Sequence, residues 1–174
     1  LNAVKGLPVV SPGMNVRDAT EADIASIRRV ADAAWHADYP DALSEATIEA
    51  GVGHWYGDPV VRMELSNPGT ELLVAEVEDS VVGFVHGHRA GDTGTILRLH
   101  VDPEYRDDDV EAALFESIAG AFEEAGTARL RATVLAANDH VTAFYESRGF
   151  EQVDTERTTI DESQHEEAVF ERAI

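Results

Sequence analysis

Alternation along two neighbouring segments gathers the side chains with the most chemistry to offer. In Thr95 to Val101, Leu97, Leu99 and Val101 share one face and leave Arg98 and His100 on the other. In Val81 to Arg89, Phe84, His86 and His88 share a face. If these segments pair with even-numbered residues opposed, His86, His88, Arg98 and His100 meet on one side of a sheet. An imidazole titrates near neutrality, so the cluster could accept a proton. Three imidazoles could also hold zinc, although neighbouring strand positions rarely converge that way, and no metal is expected. The plainer alternative is a set of hydrogen-bonded histidines beneath the first helices. His36, His54, His140 and His165 fall at surface or interhelical positions. Trp35, Tyr39, Trp55 and Tyr56 supply aromatic surface that either packs or, where exposed, meets a cation through its π face.

The elements that must position these residues follow from periodicity. Asn15 to Ala19 reads as an opening strand. Thr20-Glu21-Ala22-Asp23 offers a hydroxyl cap and early acids, and Ile24, Ile27, Val30, Ala31 and Ala34 extend a helix to about Trp35. Pro40 interrupts, and Ser44 to Tyr56 forms a second helix ending near Gly57-Asp58-Pro59. Strands at Glu71 to Glu78 and Val81 to Arg89 flank a turn at Asp79-Ser80, and Gly91 to Gly94 turns into Thr95 to Val101. Val110, Ala113, Leu114, Ile118, Ala121 and Phe122 mark a long helix closed by Gly126. Leu130 to Leu135 is a strand, Val141 to Tyr145 lies on a helix ended by Gly149, and Phe150 to Ile160 and Glu166 to Ile174 are the last strands. Tight turns force antiparallel pairing, whereas the passage from Thr95 to Leu135 through a helix calls for a parallel pair. The expected architecture is α/β (α+β), a mixed, mostly antiparallel sheet of about seven strands with helices on both faces.

Composition narrows the classes of function. The 174 residues carry 34 acidic and 13 basic side chains, with Lys5 as the sole lysine, for a formal charge of −21. Such a field repels nucleic acid and anionic membrane surfaces, so neither partner is expected. Acids spread along the whole chain fit a salt-adapted prokaryote, because at molar salt the Debye length falls to about 3 Å. An acidic surface that attracts a cationic substrate is the other reading. There is no cysteine. That excludes disulfides, thiolate metal sites and a cysteine nucleophile, and it is compatible with a cytoplasmic location. Met14 to Ile174 is expected as a single domain, with residues 1–13 a loosely ordered extension.

Three passages resemble the GNAT family of N-acyltransferases across Met14 to Ile174. They are Leu99-His100-Val101-Asp102-Pro103-Glu104-Tyr105-Arg106, the amphipathic helix after it, and Asn138-Asp139-His140-Val141-Thr142-Ala143-Phe144-Tyr145-Glu146-Ser147-Arg148-Gly149-Phe150. The resemblance implies the GNAT fold and acetyl transfer from acetyl-CoA to a small-molecule or peptide amine by direct attack, without a metal. It also implies that the strand through Val101 splays from its parallel neighbour near Leu135, so that the pantetheine amides pair with the backbone at Leu99 and Val101. Tyr145 becomes the general acid for the departing thiolate. His100, beside the implied thioester position, becomes the candidate base, with ordered water as its alternative. Asn138 contacts the cofactor or caps its helix, Phe144 and Tyr145 border the cofactor, and Trp35, Tyr39 and His86 face the acceptor. Family members often dimerise through a sheet edge or C-terminal strands, where Val169, Phe170 and Ile174 could contribute.

One segment departs from the family pattern. The cofactor loop ordinarily reads Gln or Arg, two residues, Gly, one residue, then Gly or Ala, so that backbone amides close on the pyrophosphate. Here it is Arg106-Asp107-Asp108-Asp109-Val110-Glu111-Ala112, with acids at both glycine positions. Carboxylates suit a helix start but repel phosphate. Retained binding at high salt and a non-catalytic GNAT-fold module that binds a metabolite or partner are the two outcomes this loop allows.

Overall fold

The structure, a computed structural model, describes residues 13–39 and 42–174; Pro40 and almost all of the expected N-terminal extension lie outside the described residues. Strand β1 (Met14–Asp18) leads through a 3-10 turn into α1 (Ile24–Asp38), α2 (Glu45–Trp55) and α3 (Asp58–Ser66). Then come β2 (Thr70–Val77), β3 (Ser80–Ala90), β4 (Thr93–Val101), a second 3-10 turn, α4 (Val110–Glu124), β5 (Arg129–Leu135), α5 (Asp139–Ser147), β6 (Glu151–Ile160) and β7 (Ser163–Ala173).

Helix α3 corrects the sequence expectation, which ended the helical region at Gly57-Asp58-Pro59. Proline lacks the N–H that a first helical turn does not need, so Pro59 starts α3 instead of stopping α2. Its apolar wall, with Val61 buried, becomes part of a cavity described below. The β2–β3 turn also moves by one residue. Glu78 and Asp79 take φ of 49° and 67°, the left-handed pair that a two-residue hairpin needs, so Ser80 already pairs with Val77.

The seven strands lie in the order β1-β2-β3-β4-β5-β7-β6, and every neighbouring pair is antiparallel except β4 and β5. Both faces are covered, so β2 buries Leu72 to Ala75 without a break. On one face Leu73, Val85, Ile96, Leu130 and Phe170 pack under Leu114, Ile118 and Phe122 of α4 and Tyr145 of α5. On the other, Leu72, Val74, Phe84 and Ile160 pack under Ile27, Trp35, Ile48 and Val52 of α1 and α2. Gly87 is what lets α4 sit so close: a Cβ there would lie 2.7 Å from Ile118 Cδ1 and 2.8 Å from Phe122 Cζ. Val169 and Phe170, named as interface candidates, are fully buried in the protein's own core, whereas Ile174 is exposed.

Two irregularities shape the centre of the sheet. The β3–β4 register slips between His86↔Arg98 and Gly87↔Ile96, so Leu97 is an extra, bulged residue. Ile96 takes the α4-side place that simple alternation gives to Leu97. The parallel β4–β5 ladder, meanwhile, runs only from Thr93↔Arg129 to Ile96↔Ala132. Beyond it β4 stays paired to β3 as far as Gly83↔Val101, and β5 stays paired to β7 as far as Leu135↔Glu167. The two strands therefore diverge at the bulge, each held only from outside.

Candidate active site

The divergence opens a narrow cleft between the two strands. Leu97 to His100 form one edge and Thr133 to Leu135 the other; Trp35, Tyr39 and Trp55 line the cleft from the first helices, Val141 and Tyr145 line it from α5, and Asn138 bridges to Tyr39. Backbone amides and carbonyls along these edges have no strand partner across the gap, and unpaired backbone groups are costly unless a ligand or water meets them. Leu99 and His100 line the cleft as expected; Val101 is buried at the end of β4 and does not line it.

Asn138 does what a helix cap does. Its Oδ1 accepts from the Val141 amide at 3.0 Å, while Nδ2 donates to the Tyr39 hydroxyl at 3.0 Å and reaches Asp38 Oδ2 at 3.5 Å. The Asp38 carboxylate is 3% exposed and also meets Arg106 Nη1 at 2.8 Å. This buried ion pair ties the loop before α4 to the end of α1. Nothing in the local sequence flags it, because the partners lie far apart in the chain. Arg106, the residue that matches the family loop, thus points into the protein.

Tyr145 is 1% exposed, stacked on Phe170 and edge-on to Phe150 at 5.2 Å, and it lines the cleft. Burial, reinforced by Glu111, holds its phenol well above the ordinary value, so it stays protonated at neutral pH. Phe144 faces elsewhere, edge-on to Phe115 at 5.8 Å. Opposite, His100 is buried with Nε2 3.1 Å from the Tyr56 hydroxyl and Nδ1 without a partner. Burial, helped by the Arg98 and Arg106 charges, pushes its pKa down to about 3. Trp35 and Tyr39, both buried, form an edge-on aromatic cluster with Trp55 and Tyr56. His86 shares the His100 face, next to Arg98, and His88 follows beyond the bulge opposite Thr95. Among the described residues no three acidic or histidine side chains converge as a metal centre requires.

The loop before α4 keeps its shape without its glycines. Asp109, at the first glycine position, has φ 60° and ψ 20°, the left-handed conformation glycine would supply, and its carbonyl accepts from the Ala113 amide at 3.0 Å. No side chain caps α4, so the first-turn amides at Val110, Glu111 and Ala112 have no partner within the helix. Val110 is fully buried. Glu111, at the second glycine position, is 12% exposed and held by His140 Nε2 at 2.8 Å. The side chains of Asp107 and Asp108 lie outside the described residues. The strand gap therefore presents the open backbone edges that a pantetheine arm would pair with, and the helix terminus retains its amides, but the carboxylates at that terminus oppose a pyrophosphate.

A fold with splayed parallel strands, a capped tyrosine-bearing helix and a left-handed turn into α4 defines an acyl-CoA-type transferase architecture. A sequence profile of the acetyltransferase (GNAT) domain matches residues 42–165. The chain is 32% identical over 102 residues to an acetyltransferase of Yersinia pestis (strain Pestoides F), covering 58% of this chain and 72% of that one. Among solved structures it resembles the PaiA N-acetyltransferase of Thermoplasma acidophilum in complex with coenzyme A, with TM-score 0.82 and 22% identity over 92% of this chain and 99% of that one. It also resembles the ribosomal-protein-S18-alanine N-acetyltransferase of Escherichia coli, with TM-score 0.70 and 17% identity over 92% and 94% of the two chains. The chain belongs to the GNAT family.

Proposed function

We propose that this protein transfers an acetyl group from acetyl-CoA to a primary amine by direct attack, in the cytoplasm of a salt-adapted prokaryote. The observation that carries the reading is the strand gap: its two backbone edges lie open to the cleft that Tyr145 also lines. The coenzyme A bound by the Thermoplasma relative supports the same use of the fold. Acetyl-CoA brings an activated acyl group. The backbone of Leu99 would orient the thioester, and the α4 terminus would meet the pyrophosphate.

The amine nitrogen forms the new C–N bond as the C–S bond breaks. Tyr145 Oη gives its proton to the departing sulfur and regains one from solvent. The proton lost by the amine passes to ordered water. His100 suits that role poorly, because an imidazole whose pKa lies near 3 offers little driving force for accepting it. We assign His100 to holding Tyr56 instead. A second reading, a non-catalytic binding module, is favoured by the inward-turned Arg106 and the acids at both glycine positions.

Thiol release from acetyl-CoA with a panel of amines in about 1 M KCl separates the two readings. Calorimetry with CoA across a salt series is expected to show affinity rising with salt, the reverse of ordinary phosphate binding. Absence of both thiol release and CoA binding at every salt concentration sinks the transferase reading.

A further inference from the structure

The bulge that opens the gap also re-aims two consecutive side chains. With Leu97 as the extra residue, both Leu97 and Arg98 turn toward α1 to α3 and form a wall shared by the strand gap and a second cavity. That cavity lies beneath α3, with Leu72, Phe84 and Val61 as apolar lining and Glu64 and His86 as polar groups.

Arg98 stands out in a chain so rich in acids. Its guanidinium stacks 4.4 Å over Trp55 and donates to the Leu97 carbonyl at 2.6 Å. Arginine–carboxylate pairs among the described residues involve Arg17, Arg62, Arg106, Arg131 and Arg148. Tyr39, Tyr56, His86 and His100 all feel the Arg98 charge, and burial pushes each of them toward its neutral form. Arg98 lines the cavity together with Glu64 and hydrogen-bonds Tyr56, yet none of the ion pairs within 4.0 Å that the described residues form includes it, and a planar carboxylate would match the part of its guanidinium that remains open. On the other side of His86, the Glu64 carboxylate lies 3.3 Å from Nε2, yet that buried nitrogen has no well-formed hydrogen bond.

We infer that the second cavity seats the acceptor and that the acceptor is a free α-amino acid with an apolar side chain, its carboxylate on Arg98 and its side chain against Leu72 and Phe84. This rests on the acetyl-transfer reading and narrows it. The Glu64–His86 pair would hold the ammonium end as it arrives, and because Trp55, Leu97 and Arg98 line both cavities, a ligand on Arg98 sits beside the strand gap. A diamine would bring a like charge to Arg98. A peptide amino terminus carries an amide where the carboxylate belongs and leaves the guanidinium without a counter-ion.

The test compares L-leucine, L-methionine and L-phenylalanine with L-leucine methyl ester and spermidine as acceptors, read by thiol release. Leucine binding is measured separately by calorimetry without acetyl-CoA. The free acids are expected to exceed the ester and spermidine by about tenfold to a hundredfold in kcat/KM, the worth of a charge-assisted hydrogen bond. Arg98→Gln is expected to bring acid and ester within a few-fold of each other. Should Arg98→Gln fail to fold, Arg98→Lys, which keeps charge but loses the fork, is expected to fall between. Glu64→Gln is expected to raise the KM for leucine and leave the acid-to-ester ratio alone. Ester or spermidine used as well as leucine overturns the inference and leaves acetyl transfer standing. If no amine releases thiol, leucine binding that Arg98→Gln abolishes keeps the cavity assignment while acetyl transfer fails, and absent leucine binding overturns the assignment itself.

Discussion

The strand gap and the loop before α4 are adjacent in space and opposite in character. The gap is made by backbone: a bulge at Leu97, a ladder that stops at Ile96↔Ala132, and outer partners that hold each strand open. Side-chain substitution hardly touches it. The loop works through shape and charge together, and the two have come apart. Asp109 preserves the left-handed turn of a glycine, while its carboxylate and that of Glu111 reverse the local potential. A binding site can thus keep its geometry and lose its electrostatics, and only the second loss is repairable by salt.

Changes that separate the two regions can be ranked by size. Asp38→Ala removes the link between them and leaves Arg106 as an uncompensated, largely buried cation. It is expected to cost about 3 kcal/mol of unfolding free energy, measured by urea denaturation. Tyr145→Phe acts on the gap alone. Thiol release is expected to slow about tenfold or more while CoA affinity in calorimetry stays the same, and an unchanged rate would return Tyr145 to a packing role.

The next effect is set by pH. His100 is neutral in the folded chain down to about pH 3, whereas the unfolded chain binds the proton near its ordinary pKa of about 6.5. The depressed value means that stability is complete above about pH 6.5 and falls on acidification, by up to about 1.4 kcal/mol per pH unit, until about pH 3. His100→Gln should flatten that slope in urea midpoints taken between pH 7 and pH 4.5. The smallest effect belongs to the loop. Replacing Asp109 and Glu111 together by glycine is expected to strengthen CoA binding about fivefold at low salt, with the gain fading near 1 M KCl. A gain that persists at high salt would mean that steric obstruction, not charge, is the defect.

Much of this was legible in the order of residues. Apolar periodicity placed the seven strands and four of the five helices, and the Asn138 to Phe150 passage fixed both the α5 cap and the position of Tyr145. The misses share a physical origin. Pro59 reads as a helix breaker unless the residues after it are known to pack, since proline serves equally well at a helix start. The bulge at Leu97 depends on where β3 and β4 settle against α4, so strict alternation assigned Leu97 to the wrong face. Glu64 escaped notice because it sits on the unforeseen α3, and Asp38 because its partners Arg106 and Asn138 meet it only after folding. His100 lines the gap, and its neutrality follows from burial that no local pattern reveals.

The short β4–β5 ladder has a mechanical side as well. Four rungs, Thr93 to Ile96, and the Asp92 carbonyl just before them bind one leaf of the sheet, β1 to β4, to the other, β5 to β7, along their shared spine. A guest that pairs with both margins at once would act as stitching, turning two leaves into one continuous page and stiffening the molecule where it is otherwise least sewn together.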